Sequence, residues 1–409
     1  LFFLSYIIRT GEFFMKLNDL LEKITALESG GFPVLSVYMS SEANEQGRDD
    51  FNTWLKQELS DLSKNYDDES PESESVKQDI ERITNFVENE VEPSAQGLAI
   101  FACFGADEFF ETAQLEVPFP NNNLFAFERP HIFPLVRAIE QNPRYLALWA
   151  DTNKAGIYIF GGERMIDAKT ETKAQIEEIE NVVTQDSPEG IRSEYSFQRR
   201  MENFHLQHAK ETVDEVEKLM RDTKIEHLIL CGNDTTIMPI LRPQLPKAIE
   251  EKVVGTLNMS QYASEEEIHE ATHALMQEHN EEQDEEKFKR VLDTAKAAAG
   301  LGVLGVKDTL TALSNGQVEE LIISASFDAI KYRRKDVEQV LEDYAPGDDN
   351  SVTDDLPEAD EPRQIADELI IRALNSSAKI SFIEDSERIK EIGGVGAVLR
   401  YNINATANG

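Results

Sequence analysis

Two hydrophobic spacings alternate along this chain, one typical of strands and the other of helices. Short apolar runs rich in Val, Ile, Leu and Phe are typical of buried strands, and apolar residues three to five positions apart are typical of one helix face. The predicted strands cover residues 34–39, 97–104, 115–117, 144–150, 155–160, 164–168, 225–231, 253–257, 320–324, 379–383 and 397–402. The predicted helices follow residues 17–27, 49–62, 75–91, 197–220, 264–299, 306–313 and 361–374. This alternation predicts an α/β fold.

The elements fall into three successive blocks. We predict an N-terminal α/β domain at residues 15–130, a central domain at 131–258 and a C-terminal domain at 259–409. In the central block a strand, a long helix and a further strand predict a parallel pair joined by a crossover. Residues 1–14 are expected to be an upstream or appended segment outside the fold, because Met15 opens a regular helical pattern.

The charge balance restricts the classes of partner. With 40 basic and 78 acidic residues the chain carries a net charge of −38, which argues against DNA, non-specific nucleic-acid binding and membrane binding. The two cysteines, Cys103 and Cys231, lie in apolar strand-like runs and predict buried, reduced thiols in the cytoplasm. Any contact with RNA must therefore be local.

One local exception to this acidity is the junction at residues 190–220, where a polar loop runs into a long helical pattern. Over residues 190–210 its cations outnumber its acids by 4 − 2 = 2; the cations are Arg192, Arg199, Arg200 and Lys210, and the acids are Glu194 and Glu202. Clustered arginines neutralise phosphates well, so the junction predicts a polyanion contact. The alternative is a surface loop that precedes an ordinary amphipathic helix.

Three motifs offer other chemistry. His269, Glu270 and His273 fit the H-E-x-x-H pattern, in which two imidazoles one helical turn apart hold zinc and the glutamate acts as general base. This zinc hydrolase hypothesis lacks an evident third ligand, and the motif lies in a Glu-rich helix. The glycines at 300–305 fit G-x-G-x-x-G, but a helix rather than a strand precedes them. The glycines at 393–396 are more typical of a tight turn than of an anion site, and no cofactor is predicted.

Several segments carry a resemblance to a known family. Residues 305–313, 316–324 and 393–401 resemble the third domain of archaeal and eukaryotic class-one release factors and of Pelota. Residues 197–200, 225–232 and 245–248 look like the central domain of the bacterial archaeo-eukaryotic release factor-like proteins, the group that includes the Balon-like hibernation factors. Residues 34–39 are more weakly similar to their N-terminal domain.

The resemblance implies three consecutive α/β domains in an extended, tRNA-like arrangement that fits the ribosomal A site. The central loop would reach the peptidyl-transferase centre, and the third domain would meet a translational GTPase such as elongation factor Tu. The implied RNA-contact residues of the central loop are Arg192, Ser193, Glu194, Gln198, Arg199 and Arg200. The family's small inserted domain, which binds zinc in some members, would lie near residues 343–362, a stretch without Cys or His.

The loop departs from the family's Gly-Gly-Gln pattern at the position that matters for hydrolysis. In the resemblance, Ser193 and Glu194 fall on the Ser and Gln of a G-x-S-Q-like loop, and Gly190 is the one glycine left there. A carboxylate beside RNA phosphates and a developing oxyanion is unfavourable. The resemblance therefore implies a factor for idle or stalled ribosomes that does not hydrolyse, with a peptidyl-tRNA hydrolase using the altered loop as the alternative.

Overall fold

The computed structural model describes residues 19–40, 51–66, 69–92, 95–115, 117–161, 179–180, 194–297, 300–332, 361–384 and 386–402. They form three small sheets, each covered by helices, which confirms the predicted α/β class. The chain divides into two compact units. One, the five-stranded unit, is Pro143–His279, and the other, the two-sheet unit, joins Leu20–Asn142 to Asn280–Gly409. The predicted domain boundaries stay predictions.

The first sheet of the two-sheet unit is antiparallel throughout and has the order β3-β2-β1-β4. Its strands are β1 Val34–Ser40, β2 Gly97–Cys103, β3 Phe109–Leu115 and β4 Asn123–Phe127. Residues 19–25 (α1) are helical, and the next helices are α2 Phe51–Ser63 and α3 Pro71–Asn89. Leu55, Leu59 and Ile83 of α2 and α3 are buried against Leu35 and Leu98 of the sheet.

A buried carboxyl group on α3 makes the stability of this sheet sensitive to pH. Asp79 is 0% exposed; one carboxylate oxygen accepts the Phe104 N–H at 3.1 Å, and the other has no partner among the described residues. Burial raises the pKa of Asp79 to about 6, against 3.8 for the free side chain. Between these two values the folded state binds more protons than the unfolded state, so this contribution to stability is lost as the pH rises through about 6.

Asp79→Asn removes the charge and keeps the shape of the side chain. We expect it to raise the free energy of unfolding at pH 8 by about 1–3 kcal/mol and to give no gain near pH 4. Urea unfolding across this pH range measures the difference. Asp61→Asn, on the exposed face of α2, is the matched control, since its side chain is 56% exposed. A gain of the same size in both variants, or one that does not change with pH, would contradict the assignment.

The five-stranded unit has the strand order β7-β6-β5-β8-β9. Its strands are β5 Tyr145–Ala150, β6 Lys154–Phe160, β7 Ile179–Glu180, β8 His227–Gly232 and β9 Val253–Asn258. β5 and β6 form a hairpin, and β5, β8 and β9 are parallel. The long helix α5, Glu194–Thr223, lies between β7 and β8 in the chain, and the strand that pairs in parallel with β8 is β5. Because the strand predicted before this helix, at 164–168, lies outside the described residues, the predicted parallel pair joined by the long helix stays a prediction.

Helices cover both faces of this sheet. Ala209, Val213, Val216 and Met220 of α5 pack on one face with the short helices α6, Met238–Leu241, and α7, Lys247–Glu250. Ile268 and Met276 pack on the other face; they belong to helix α8, Glu265–Lys296, which begins with a capping box. In that box the Ser264 hydroxyl accepts the Glu267 N–H, and the Glu267 carboxylate accepts the Ser264 N–H.

The third sheet, in the two-sheet unit, is mixed and has the order β10-β13-β11-β12. β11 and β12 are parallel and the other neighbours are antiparallel. Its strands are β10 Gly302–Leu304, β11 Val318–Ser324, β12 Lys379–Ile383 and β13 Val395–Leu399. The helices around it are α4 Phe133–Gln141, α9 Val306–Ser314, α10 Glu361–Asn375 and α11 Ser386–Lys390. No helix in the described ranges is long and apolar enough to span a membrane.

Some predicted elements are placed differently. The strand that follows β2 in the first sheet is β3, Phe109–Leu115. The sequence predicted this strand at 115–117 instead. The glycine run at 300–305, where no strand was predicted, contains β10, and the last strand ends at Leu399 instead of residue 402. The strand predicted at 164–168 lies outside the described residues, as does most of the acidic stretch at 343–362.

Candidate functional site

Helix α5 extends well past the core of the five-stranded unit. It has 30 residues and is therefore about 45 Å long, whereas the six residues of β8 span about 20 Å. Residues 202–207 are exposed or half-buried, and the continuous buried face begins at His208 and Ala209. Three residues separate the end of α5 at Thr223 from the start of β8 at His227, so α5 ends at the amino end of β8 and, packed on the sheet, starts at its carboxyl edge. Its first half therefore lies beyond that edge.

The predicted RNA-contact residues fall at this end of α5. Glu194 is the first residue of the helix, and Gln198, Arg199 and Arg200 occupy its first two turns, where the structure describes the backbone alone. Arg192 and Ser193, as well as Gly190, lie outside the described residues. Four of the six predicted contact residues therefore lie in the first two turns of α5. Their role as a contact site stays a prediction.

The H-E-x-x-H motif lies on the first half of α8 at the opposite face of the sheet from α5. The rings of His269 and His273 are 5.9 Å apart between centroids, and burial, then the neighbouring His269, lowers the pKa of His273. His279, the nearest further imidazole along the helix, instead has its ring 5.6 Å from that of His227. No group of three or more His, Cys, Asp or Glu within the described ranges is arranged to hold a metal ion.

The packing around the motif explains these histidines as part of the α8 interface with the sheet. The ring of His269 lies 4.8 Å from that of Phe160, and the hydroxyls of Tyr145 and Thr272 are hydrogen-bonded at 3.2 Å. Phe160, Tyr145 and His227 are cross-strand neighbours in β6, β5 and β8. These three cross-strand neighbours therefore pack against α8. The arrangement gives no support to the zinc hydrolase hypothesis.

Neither glycine motif forms a nucleotide site. Gly302 lies inside β10, which pairs with β13, so the strand does not precede the glycine run as a dinucleotide site requires. The run at 393–396 is a tight turn into β13, and Gly394 lies against the backbone of Ala329.

Two family models match successive parts of the chain. Residues 130–277 match "Bacterial archaeo-eukaryotic release factor family 10", and residues 280–403 match "eRF1 domain 3". The chain belongs to the release factor and Pelota-like family. The resemblance carried by residues 305–324 and 393–401 is thereby confirmed.

Individual relatives of this release factor-like protein were also found. The eukaryotic peptide chain release factor subunit 1 of Saccharomyces cerevisiae is 30% identical over 135 residues, which cover 30% of this chain and 31% of the yeast protein. A structure of ribosome-bound archaeal Pelota with ABCE1 is 12% identical, covers 90% of each chain and has a TM-score of 0.39. S. cerevisiae Dom34, described as interacting with Hbs1, is 11% identical over 75% of this chain and 85% of its own, with a TM-score of 0.37.

Proposed function

We propose that this release factor-like protein is a ribosome-binding translation factor of the cytoplasm, and that it occupies the A site of idle or stalled ribosomes without hydrolysing peptidyl-tRNA. The observation that carries the proposal is the match of two successive family models to residues 130–277 and 280–403. A central release factor-like segment is thus followed by a third-domain segment, in the order that the family has. The proposed partners are the ribosome and a translational GTPase such as elongation factor Tu.

The reach of α5 supports the contact with ribosomal RNA. Because α5 extends beyond its own sheet by about half of its 30 residues, the backbone of its first turns lies away from that sheet. The Debye length at physiological salt is about 8 Å, so charges on the sheet are largely screened from the first turns of α5. A net charge of −38 is therefore compatible with a local contact between Arg192, Arg199 and Arg200 and phosphates.

The chemistry of the loop argues against hydrolysis. A neutral glutamine amide can orient a water toward the ester, whereas a carboxylate at Glu194 repels the negative charge that develops on the ester oxygen. Gly190, the one glycine between residues 189 and 200, also leaves less freedom for the backbone to approach a substrate closely than a Gly-Gly pair does.

Sedimentation with bacterial ribosomes tests the proposal. We expect the protein to pellet with ribosomes at low salt and to dissociate as salt rises, because phosphate contacts release counterions. Addition of the GTPase is expected to increase the bound fraction. A protein that stays in the supernatant at low salt, with and without the GTPase, would rule the proposal out.

Release of a labelled peptide from ribosome-bound peptidyl-tRNA distinguishes the hydrolytic alternative. The proposed function predicts no release above background by the wild-type protein. Release that is lost on substitution of Glu194 or Gln198 would instead establish a peptidyl-tRNA hydrolase that works with the altered loop.

A further inference from the structure

The chain segment that leaves the first sheet is docked onto the helices of the third sheet. This connector, residues 128–142, follows β4 and contains α4; α4 packs on β12 and α10 of the third sheet. We propose that the connector and Asp367 of α10, together called the lock, hold the first and third sheets in one cooperative unit. The two sheets then open and unfold together. The inference concerns the two-sheet unit alone and holds whether or not the protein binds ribosomes.

Asp367 caps the first turn of α4 from a distant part of the chain. One of its carboxylate oxygens accepts the backbone N–H groups of Ile132 and Phe133, each at 2.9 Å. Ile132 is the N-cap residue of α4 and makes no capping bond with its own side chain. The unpaired donors of a helix start favour a carboxylate, both as an acceptor and through the helix dipole. The start of α4 therefore depends on a residue of α10.

The other oxygen of Asp367 links this cap to the first sheet through a fully buried histidine. Oδ2 lies 2.6 Å from Nδ1 of His131, which is 0% exposed. The backbone N–H of His131 donates to the Ser36 hydroxyl at 3.0 Å, and its carbonyl accepts the Tyr38 hydroxyl. Ser36 and Tyr38 are buried residues of β1. A continuous path of buried hydrogen bonds thus joins β1 to α10.

Aromatic side chains surround this path. The ring of Phe133 lies 5.1 Å from that of Phe382 in β12 and 4.4 Å from that of Phe327. The ring of Phe125 in β4 lies 4.4 Å from that of His131, and the Arg363 guanidinium of α10 lies 5.5 Å from the Phe125 and Phe327 rings. Because His131 is 0% and Asp367 is 4% exposed, loss of the Asp367 carboxylate would leave buried donors without an acceptor.

Ion pairs close the rim of the same interface. Arg129 pairs with Glu368 at 2.9 Å, and Glu140 pairs with Lys287 at 3.3 Å. A second oxygen of Glu140 accepts the Phe382 N–H, so α4 is also bonded directly to β12. The Arg129–Glu368 pair contributes little because Arg129 is 53% exposed, whereas the Glu140–Lys287 pair is about one-fifth exposed and adds to the buried cap.

Hydrogen–deuterium exchange of the full-length protein tests the lock. We expect Asp367→Ala, which removes both acceptor oxygens, to raise the exchange rates of amides in α4, α10 and β1 together by about 10- to 100-fold, with no change in β5 and β8. Asp308→Ala, on the exposed first turn of α9, makes the same chemical change outside the interface and should leave these rates unchanged. Faster exchange confined to α10, or no change in α4, would overturn the proposal.

A measurement on the wild-type protein covers the case in which the variant does not fold. As urea is added below the unfolding transition, the slowest amides of β1 and β11 are expected to converge on one common opening constant. If the two strands open with constants that differ by more than about tenfold at every urea concentration, the sheets are independent and the lock is refuted.

Discussion

Replacement of Arg199 and Arg200 together by glutamine is expected to weaken ribosome binding by about 100-fold. A hydrogen bond from a charged donor contributes about 1.5–3 kcal/mol, and each 1.4 kcal/mol corresponds to a tenfold change in the dissociation constant. Both residues lie in the first two turns of α5, on the half of the helix that extends beyond the sheet. Titration with labelled ribosomes at fixed salt measures the loss, and the dependence on salt should become shallower.

Arg221 and Arg242 provide the matched control for this double variant. Their side chains are 66% and 54% exposed in the same unit, Arg221 in the last turn of α5 and Arg242 after α6. Their replacement by glutamine changes the net charge equally but should alter affinity less than about twofold. Equal losses in both double variants would show that total charge, and not the start of α5, governs binding.

Gly394→Ala is expected to destabilise the two-sheet unit by at least about 3 kcal/mol. Gly394 has φ of +80°, and a Cβ there would lie 2.4 Å from the carbonyl oxygen of Ala329. Backbone atoms of the packed turn cannot move aside as the end of a flexible side chain can. The variant therefore combines left-handed strain with a clash, and urea unfolding measures the loss.

Gly316→Ala separates these two effects. Gly316 also has a positive φ, +65°, but no atom lies within 4 Å of the position of its Cβ. Its substitution should cost only the left-handed conformation, about 1–2 kcal/mol. If the two variants lose the same stability, close packing of the 393–396 turn is not what requires glycine there.

The local hydrophobic pattern was sufficient to predict an element where residues within that element determine its bounds. The prediction of a strand at 97–104 and a helix at 306–313 differs from β2 and α9 by one residue at an end, because their apolar spacing is complete. The start of α4 carries no such signal, since its cap comes from Asp367, 235 residues away. β10 was missed for the same kind of reason, because its hydrogen bonds come from β13.

The candidate site shows the same limit. The apolar spacing of residues 209–220 predicted the packed half of α5, whereas the contact role of the arginines at its start stays a prediction. The sequence did not show that the buried face begins only near His208, since Phe204 continues the apolar stripe although it is just half-buried. How far a helix extends beyond its sheet depends on the length of the neighbouring strands, which no local pattern records.

A cryo-electron microscopy map of the protein bound to ribosomes tests the central claim most directly. The account predicts density for the protein in the A site, with the start of α5 and the side chains of Arg192, Arg199 and Arg200 at ribosomal RNA of the peptidyl-transferase centre. Density at another site, or an A-site complex in which these arginines face solvent or the protein's own acidic residues, would contradict it.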